Sequence, residues 1–141
     1  MKRFLFEAEA GVLAGGAQEV SLSGASGGKA VRFTQNTSSV VLTVDIPSSG
    51  NYYAYLRYSR DERYENVSDS SLIPDKFAYI RPNNGKASRF VTDICSPDQF
   101  IMATANSPEN VRLSLVAGKN TLTVWGDSNI IVDALILELR E

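Results

Sequence analysis

Apolar residues alternate with polar residues along several stretches of this sequence, and this alternation constrains the fold more than any other feature. In residues 40–46 (VVLTVDI) and in residues 111–115 (VRLSL), every second residue is apolar. Successive side chains of a β-strand point to opposite faces, so one face of each stretch would be apolar and suited to burial. No segment of useful length shows the apolar stripe of an amphipathic helix. The chain is therefore expected to form sheets.

Clusters of turn-forming residues interrupt the alternation at close intervals. They fall at GVLAGG (11–16), SGASGG (23–28), PSSGN (47–51), PNNG (82–85), SPDQ (96–99), NSPEN (106–110), AGKN (117–120) and GDSN (126–129). The intervals between them predict strands near residues 3–10, 29–34, 39–46, 51–58, 76–81, 87–93, 110–116, 120–125 and 130–139. Many short strands at this spacing are typical of an all-β sandwich of two antiparallel sheets.

The composition fits one ordinary domain. A chain of 141 residues with 43% hydrophobic and 21% charged residues can bury a core, and neither disorder nor a fibrous repeat is indicated. We therefore expect residues 1–141 to form a single domain. One polar segment, SRDERYENVSDSSLIP (59–74), is too long for a tight hairpin, and segments of this kind are usually functional or mobile. The single Cys95 excludes an internal disulfide.

Charge and histidine content exclude several classes of function. The net charge is −2 with both signs scattered, so no basic stripe is available to neutralise phosphates. Nucleic acid and anionic membranes are therefore not expected as partners. The sequence contains no histidine, which removes the commonest general base and the commonest zinc ligand. We expect the chain not to be an enzyme.

The first residues, MKRFLF, are basic and apolar, but Glu7 follows before an apolar segment of signal-peptide length can form. No stretch of the sequence is long and apolar enough to predict a membrane-spanning helix. We interpret the chain as one module of a larger secreted or cell-surface protein, whose signal peptide would lie outside this sequence.

A lone aspartate, Asp133, interrupts the apolar run IIVDALIL (130–137), and two glutamates stand near the N-terminus. On a strand over residues 3–10, Glu7 and Glu9 would point to the same face, roughly 7 Å apart along the backbone. A buried Asp133 must be paired, protonated or bound to a metal, because an isolated buried carboxylate costs several kcal/mol.

Three explanations of these carboxylates are open. In the first, Glu7, Glu9 and Asp133 meet around a divalent cation, and oxygen ligands without histidine or cysteine favour calcium. In the second, the glutamates lie on a solvated face and Asp133 pairs with Lys29, Arg32 or another of the 14 basic residues. In the third, the two glutamates form a glycosidase acid/base pair, although both would lie on one strand without an evident cleft.

Five segments occur in an order and at a spacing that resemble a known family. They are FEAEAG (6–11), SGGKAVRF (26–33), DIPSSGNYYAYLRYS (45–59), LVAGKNTLTVW (115–125) and IIVDALILE (130–138). Together they resemble the carbohydrate-binding modules of families 35 and 6, with family 36 as a relative, over nearly the whole chain. The resemblance implies a jelly-roll β-sandwich. It also implies a non-catalytic module that targets an appended glycan-active enzyme to plant or microbial polysaccharide.

The resemblance further implies a structural calcium ion. In these modules an acidic pair on the first strand, carbonyl oxygens of a glycine-rich turn and an aspartate of the last strand bind the ion. The matching positions here are Glu7, Glu9, the turn from Ser26 to Lys29, and Asp133. The resemblance and the charge argument select the same three carboxylates.

For the sugar site, the resemblance implies the loops at one end of the sandwich, where an aromatic ring stacks on a pyranose. Phe100 stands where family 6 usually has a tryptophan, and Asn129 matches an asparagine shortly before the last-strand aspartate. Trp125 is a further candidate, as is Tyr64 in the long polar segment. The alternatives are that Phe100 faces the core and that Trp125 packs on the second sheet or covers an edge.

The sequence also departs from the family. Ala30 and Arg32 replace an aromatic residue and a glycine that the family often has, and the long 59–74 segment could reshape or block the loop site. The concave face of a sheet is then the alternative cleft. The expected partners are a poly- or oligosaccharide and a covalently linked catalytic module, with the chain itself a monomer. The alternative function is a structural or protein-interaction β-sandwich of a multimodular surface or cellulosomal protein.

Overall fold

The computed structural model describes residues 2–60, 76–92, 100–104 and 112–139. Within these ranges the chain forms the strands β1 (Lys2–Glu7), β2 (Val12–Ala14), β3 (Ala17–Ser21), β4 (Lys29–Phe33), β5 (Ser39–Ile46), β6 (Gly50–Arg60), β7 (Lys76–Pro82), β8 (Ser88–Thr92), β9 (Ile101–Thr104), β10 (Leu113–Leu115), β11 (Gly118–Gly126) and β12 (Ile130–Leu139). Two 3-10 turns, Ala8–Ala10 and Ser26–Gly28, follow β1 and precede β4. Neither of these described helical turns has the length or hydropathy to cross a membrane.

The strands form two sheets whose described pairings are all antiparallel. Across the seven-stranded sheet the order is β10, β6, β12, β4 and β3, while β1 pairs with β12 and β9 pairs with β6. The five-stranded sheet has the order β2, β5, β11, β7 and β8. This arrangement confirms the predicted all-β jelly-roll sandwich.

The core lies between the two sheets and follows the alternation seen in the sequence. In β5 the apolar residues at even positions are buried, whereas Thr43 and Asp45 on the opposite face are exposed. The last strand contributes Leu135 and Leu137 to the same core from the other sheet. Burying a side chain of this size stabilises the fold by about 1.5–3 kcal/mol, so the apolar faces determine how the sheets stack.

Strand β12 lies at the centre of the seven-stranded sheet and has different neighbours along its length. On one side it pairs with β6 from Ile130 to Leu139. On the other side, Ile131 and Val132 pair with β4, and the residues from Ala134 onward pair with β1. The register with β6 shifts between Val132 and Ala134, so Asp133 occupies an irregularity of the β-bulge kind at the junction of β1 and β4.

The first strand is shorter than predicted. It ends at Glu7, and a hydrogen bond from the Gly11 N–H to the Ala8 carbonyl oxygen, 3.0 Å long, closes the turn that follows. Gly11 then approaches β5 so closely that a Cβ there would lie 2.7 Å from the carbonyl oxygen of Val41. The prediction of one strand over residues 3–10 was wrong beyond Glu7, because the chain crosses from one sheet to the other at this point.

Three strands were not predicted: β2, β3 and β9. Strands β2 and β3 lie at the edges of their sheets and flank the Gly15 and Gly16 turn, and β9 pairs with β6. These short sequences carry little alternation, and pairing with a longer neighbour defines them. The polar segment predicted over 59–74 begins inside β6, and its remaining residues, including Tyr64, lie outside the described residues, as does Cys95.

Candidate functional site

Ser26 connects two of the predicted carboxylates. Its N–H donates to Asp133 Oδ1 over 2.9 Å, and its hydroxyl donates to Glu7 Oε1 over 2.5 Å. The turn that presents Ser26 needs glycine, since Gly27 and Gly28 have φ values of 67° and 77°. The end of β1, the turn before β4 and the irregularity in β12 therefore meet through one serine. We name Glu7, Glu9, Asp133 and Ser26 the carboxylate cluster.

Arg57 of β6 is the cation that faces Asp133. Its guanidinium forms an ion pair with Asp133 Oδ2, and Nη2 donates to the Gly24 carbonyl oxygen over 3.0 Å. Asp133 is 0% exposed, and both of its oxygens are satisfied within the fold. The expectation that a basic residue pairs with Asp133 is met by Arg57.

The two basic residues named for that pairing lie elsewhere. Lys29 is exposed and its Nζ lies 3.8 Å from Glu19 Oε2, while Arg32 donates to Asn129 Oδ1 over 3.1 Å. Any part that Lys29 plays at the cluster would therefore fall to its backbone, since its side chain is directed to Glu19.

The two glutamates differ from Asp133 in that each keeps an oxygen without a partner. Glu7 Oε2 and Glu9 Oε1 are buried and accept no hydrogen bond in the structure. Burial raises the pKa of Glu9 above its ordinary value, a hydrogen bond from its own backbone lowers it, and the charges of Glu7 and Asp133 raise it further. An unpaired buried acceptor costs about 1–3 kcal/mol, so the cluster favours an added positive charge.

The donors of the cluster fit a hard cation. Carboxylate and carbonyl oxygens are the ligands that calcium prefers, and two carboxylate oxygens are available on Glu7 and Glu9. In the described ranges, no three His, Cys, Asp or Glu side chains are already grouped as a metal site, in keeping with the engagement of Asp133 by Arg57.

Glu7 and Glu9 come together in a different way from the one predicted. The two were expected on one face of a single strand, whereas Glu7 ends β1 and Glu9 lies in the 3-10 turn that follows. Glu9 Oε2 lies near the glycine turn, 3.9 Å from where a Cβ on Gly27 would be. The turn, and not a strand period of two, brings Glu9 to the cluster.

Phe100 is the predicted sugar-binding residue that lies beside this cluster. It is half-buried just before β9, and the Arg57 Cζ lies 4.9 Å from the centroid of its ring. Arg57 therefore contacts both Asp133 and Phe100. Sequence reasoning missed Arg57, although it is one of only two charged residues in β6, just as Asp133 is the lone charge in its apolar run.

Trp125 lies on the outer face of the five-stranded sheet. Its ring stacks on that of Tyr79 on the neighbouring strand, with centroids 5.5 Å apart and an interplanar angle of 17°. Arg81 places its Cζ 5.5 Å from the centroid of Trp125, and Arg89 places its Cζ 4.5 Å from the centroid of Phe77 on the same strand as Tyr79. An aromatic and arginine row thus crosses this face.

Asn129 occupies the turn before β12. Its φ is 72°, its N–H donates to the Phe33 carbonyl oxygen over 2.6 Å, and it is 9% exposed. It contacts Arg32, so its side chain helps to join the turn to β4. A separate cavity of about 350 Å³ lies between the turn after β7 and strand β10, and none of the predicted site residues lines it.

The sequence matches no protein-family model and no curated protein. Solved structures do share the fold. An exo-β-1,3-galactanase from Phanerochaete chrysosporium is 21% identical with a TM-score of 0.76, and the match covers 97% of this chain and 29% of the galactanase. A GH26-CBM35 β-(1,4)-mannanase from Podospora anserina is 20% identical with a TM-score of 0.74, covering 99% of this chain and 28% of the mannanase.

A family 35 carbohydrate-binding module from Clostridium thermocellum is similar along its whole length. The identity is 19%, the TM-score is 0.74, and the match covers 96% of this chain and 98% of that module. The chain therefore spans less than a third of the two enzymes but almost all of an isolated module. The predicted resemblance to family 35 modules is confirmed at the level of the fold.

Proposed function

We propose that this chain is a non-catalytic carbohydrate-binding module that holds an appended glycan-active enzyme near plant or microbial polysaccharide. The observation that carries the proposal is the match to nearly the full length of an isolated family 35 module. The same fold forms under a third of a galactanase and of a mannanase, which supports a role as one part of a larger enzyme. Binding of this kind raises the local concentration of the enzyme at its substrate.

The proposal includes a structural calcium ion at the carboxylate cluster. Glu7, Glu9 and Asp133 would hold it together with carbonyl oxygens of the turn from Ser26 to Lys29. The unpartnered oxygens of Glu7 and Glu9 support this assignment, and so does the raised pKa of Glu9. When bound, the ion would supply positive charge where three carboxylates meet one guanidinium. The residues of the cluster would then fasten β1 and the turn before β4 to β12.

The proposed glycan site lies around Phe100, and Asn129 in the turn before β12 is a further candidate, as is Tyr64, which lies outside the described residues. An aromatic ring binds a pyranose through its apolar C–H face, and polar groups fix the orientation of the sugar. Because Arg57 lies over Phe100, the guanidinium would add donors for hydroxyl groups beside the ring. Trp125 belongs to a second candidate surface, the aromatic and arginine row of the five-stranded sheet.

One observation favours the alternative, a structural or protein-interaction module. The ring of Trp125 stacks on Tyr79, and the ring of Phe100 is contacted by Arg57, so both described aromatic candidates already have a partner within the fold. In that case the cluster would stabilise the fold without serving a sugar site.

A panel of soluble polysaccharides, tested by affinity electrophoresis with and without a calcium chelator, separates the two functions. We expect at least one glycan to retard the chain, and Phe100→Ala to reduce the retardation by about tenfold in affinity, the loss typical of one stacking contact. Trp125→Ala is the matched variant, since it removes an aromatic ring on the other sheet. A chain that no glycan retards, although its melting temperature still responds to chelator, would support the alternative.

A further inference from the structure

The contact between Arg57 and Asp133 is one that the proposed ion does not explain. Its guanidinium contacts three groups at once: the buried Asp133 carboxylate, the Gly24 carbonyl oxygen at 3.0 Å, and the Phe100 ring at 4.9 Å. These contacts place the charge on one side of the carboxylate cluster. Its side chain is 30% exposed, so its ion pair with Asp133 is partly shielded from water.

The carboxylate oxygens of the cluster are unequally satisfied. Asp133 has Ser26 on one oxygen and Arg57 on the other, whereas Glu7 and Glu9 each keep a buried oxygen without a partner. The fold therefore neutralises one of the three carboxylates by itself. A divalent ion and the guanidinium would both be attracted to Asp133. A guanidinium already in contact with this carboxylate repels a second cation that approaches it.

We propose that Arg57 is a built-in counter-cation that competes with a divalent cation for Asp133. It stabilises the metal-free fold and weakens the affinity of the cluster for calcium. Phe100 and the Gly24 carbonyl oxygen are positioning groups that hold the guanidinium in place. The inference rests on the proposed calcium site but not on glycan binding.

The competition predicts opposite changes in two measurable quantities. Removing the guanidinium leaves Asp133 buried without its cation, which lowers the stability of the metal-free protein. The same removal takes away the competing charge, which strengthens calcium binding. A residue that merely supports the structure would weaken both quantities when it is removed.

The experiment uses Arg57→Met, which keeps much of the side-chain volume without the charge, and Arg57→Lys, which keeps the charge. Calcium affinity is measured by calorimetry on chelator-stripped protein, and the melting temperature is measured in chelator. We expect Arg57→Met to bind calcium about tenfold more tightly than the unaltered chain while melting at a lower temperature in chelator. Arg57→Lys should bind calcium within about threefold of the unaltered chain, because its ammonium retains the charge.

Arg3→Met is the matched control, since Arg3 pairs with another buried carboxylate of β12, Glu138, away from the cluster. Its calcium affinity should equal that of the unaltered chain. If Arg57→Met does not stay folded in chelator, it is purified in calcium, and its affinity is measured by competition with a chromophoric chelator.

Each outcome bears on the proposal. Equal or weaker calcium binding by Arg57→Met overturns it. Calcium binding by Arg57→Met but not by the unaltered chain supports the competition, and overturns the proposed calcium ion of the native chain because Arg57 then keeps the site closed. If no variant binds calcium, the inference and the proposed calcium site both fail, while glycan binding is decided separately by the polysaccharide panel.

Discussion

Strand β12 carries two buried carboxylates, Asp133 and Glu138, that the fold satisfies in different ways. Glu138 is 1% exposed and lies in regular register opposite Arg3 of β1, whose Nε is 2.8 Å from Glu138 Oε2. Asp133 is 0% exposed and lies where the register with β6 shifts. Glu138 is thus paired with the arginine directly opposite it on the neighbouring strand. Asp133 is paired with an arginine at the point where the strand register is irregular.

The difference lies in the other carboxylates that surround each ion pair. Glu138 has Arg3 directly across the strand pair, and 59% of the Arg3 side chain is exposed to water. Asp133 pairs with Arg57 and lies in the same cluster as Glu7 and Glu9, each of which has an unpartnered oxygen. Glu138 has an arginine across the strand pair, whereas the carboxylate cluster has three carboxylates and one contacting guanidinium, and so an excess of negative charge. That excess is the physical argument for a cation at one site and not at the other.

Removing each carboxylate in turn is the strongest test of this difference between Asp133 and Glu138. Asp133→Ala leaves the partly exposed Arg57 charge unpaired and should lower the free energy of unfolding by about 3 kcal/mol, the low end for a buried ion pair. Glu138→Ala should cost less, because the exposed Arg3 side chain can turn to water. Chelator should lower the melting temperature of the unaltered chain and of Glu138→Ala equally, and should not lower that of Asp133→Ala further. Thermal melts with and without chelator measure all three.

An unaltered chain whose melting temperature is the same in calcium and in chelator would contradict the comparison. Asp133 would then be an ordinary ion-paired residue like Glu138, and its pairing with a basic residue would explain its burial without a metal ion. Equal chelator responses in both variants would place the ion away from β12.

The turn at Gly27 and Gly28 also distinguishes the carboxylate cluster from the surroundings of Glu138. Gly27 has φ 67°, a conformation that costs an L-residue about 1–2 kcal/mol, so Gly27→Ala should lower the free energy of unfolding by that amount. A Cβ there would lie 3.9 Å from Glu9 Oε2, an ordinary contact, so the loss arises from the backbone. Because the turn presents Ser26, the variant should also bind calcium more weakly, as measured by calorimetry.

Gly118→Ala is the control for this substitution. Gly118 has φ 95°, and a Cβ at this position would have no neighbouring atom within 4 Å. It begins β11, in the five-stranded sheet, whereas the strands of the cluster belong to the other sheet. The variant should show a similar loss of stability and no change in calcium affinity. A change of calcium affinity in both variants would mean that general destabilisation is being measured.

The sequence predicted the members of the cluster more completely than their arrangement. A lone Asp133 in an apolar run and the paired Glu7 and Glu9 stand out because buried carboxylates are rare. The 3-10 turn could not be foreseen, because the alanines at its two ends fit either face of a strand. Arg57 could not be selected from 14 basic residues, since its partner is 76 positions away and the register of β6 with β12 decides the pairing.

The smallest expected effect concerns the pH dependence of stability that Glu9 contributes. Burial raises the pKa of Glu9 in the folded protein, so the folded state binds this proton more tightly than the unfolded state. The destabilisation that ionised Glu9 causes is absent when the pH is below its pKa in the unfolded chain, and is fully present once the pH exceeds its pKa in the folded protein. Between these two pKa values, the metal-free protein should lose stability as the pH rises.

Glu9→Gln removes that titration while keeping the shape of the side chain. In chelator, the variant should be more stable than the unaltered chain at pH 7, by only a few tenths of a kcal/mol (~0.3) because solvent screens a partly exposed carboxylate, and the difference should shrink as the pH falls toward the unfolded pKa. Urea unfolding at several pH values measures the difference, and Asp45→Asn, on an exposed carboxylate of β5 in the other sheet, is the control. In calcium the order should reverse, because Glu9→Gln loses a charged ligand. If Glu9→Gln is less stable in chelator at pH 7, Glu9 is satisfied within the fold as Glu138 is, and the excess of negative charge that distinguishes the two regions is not there.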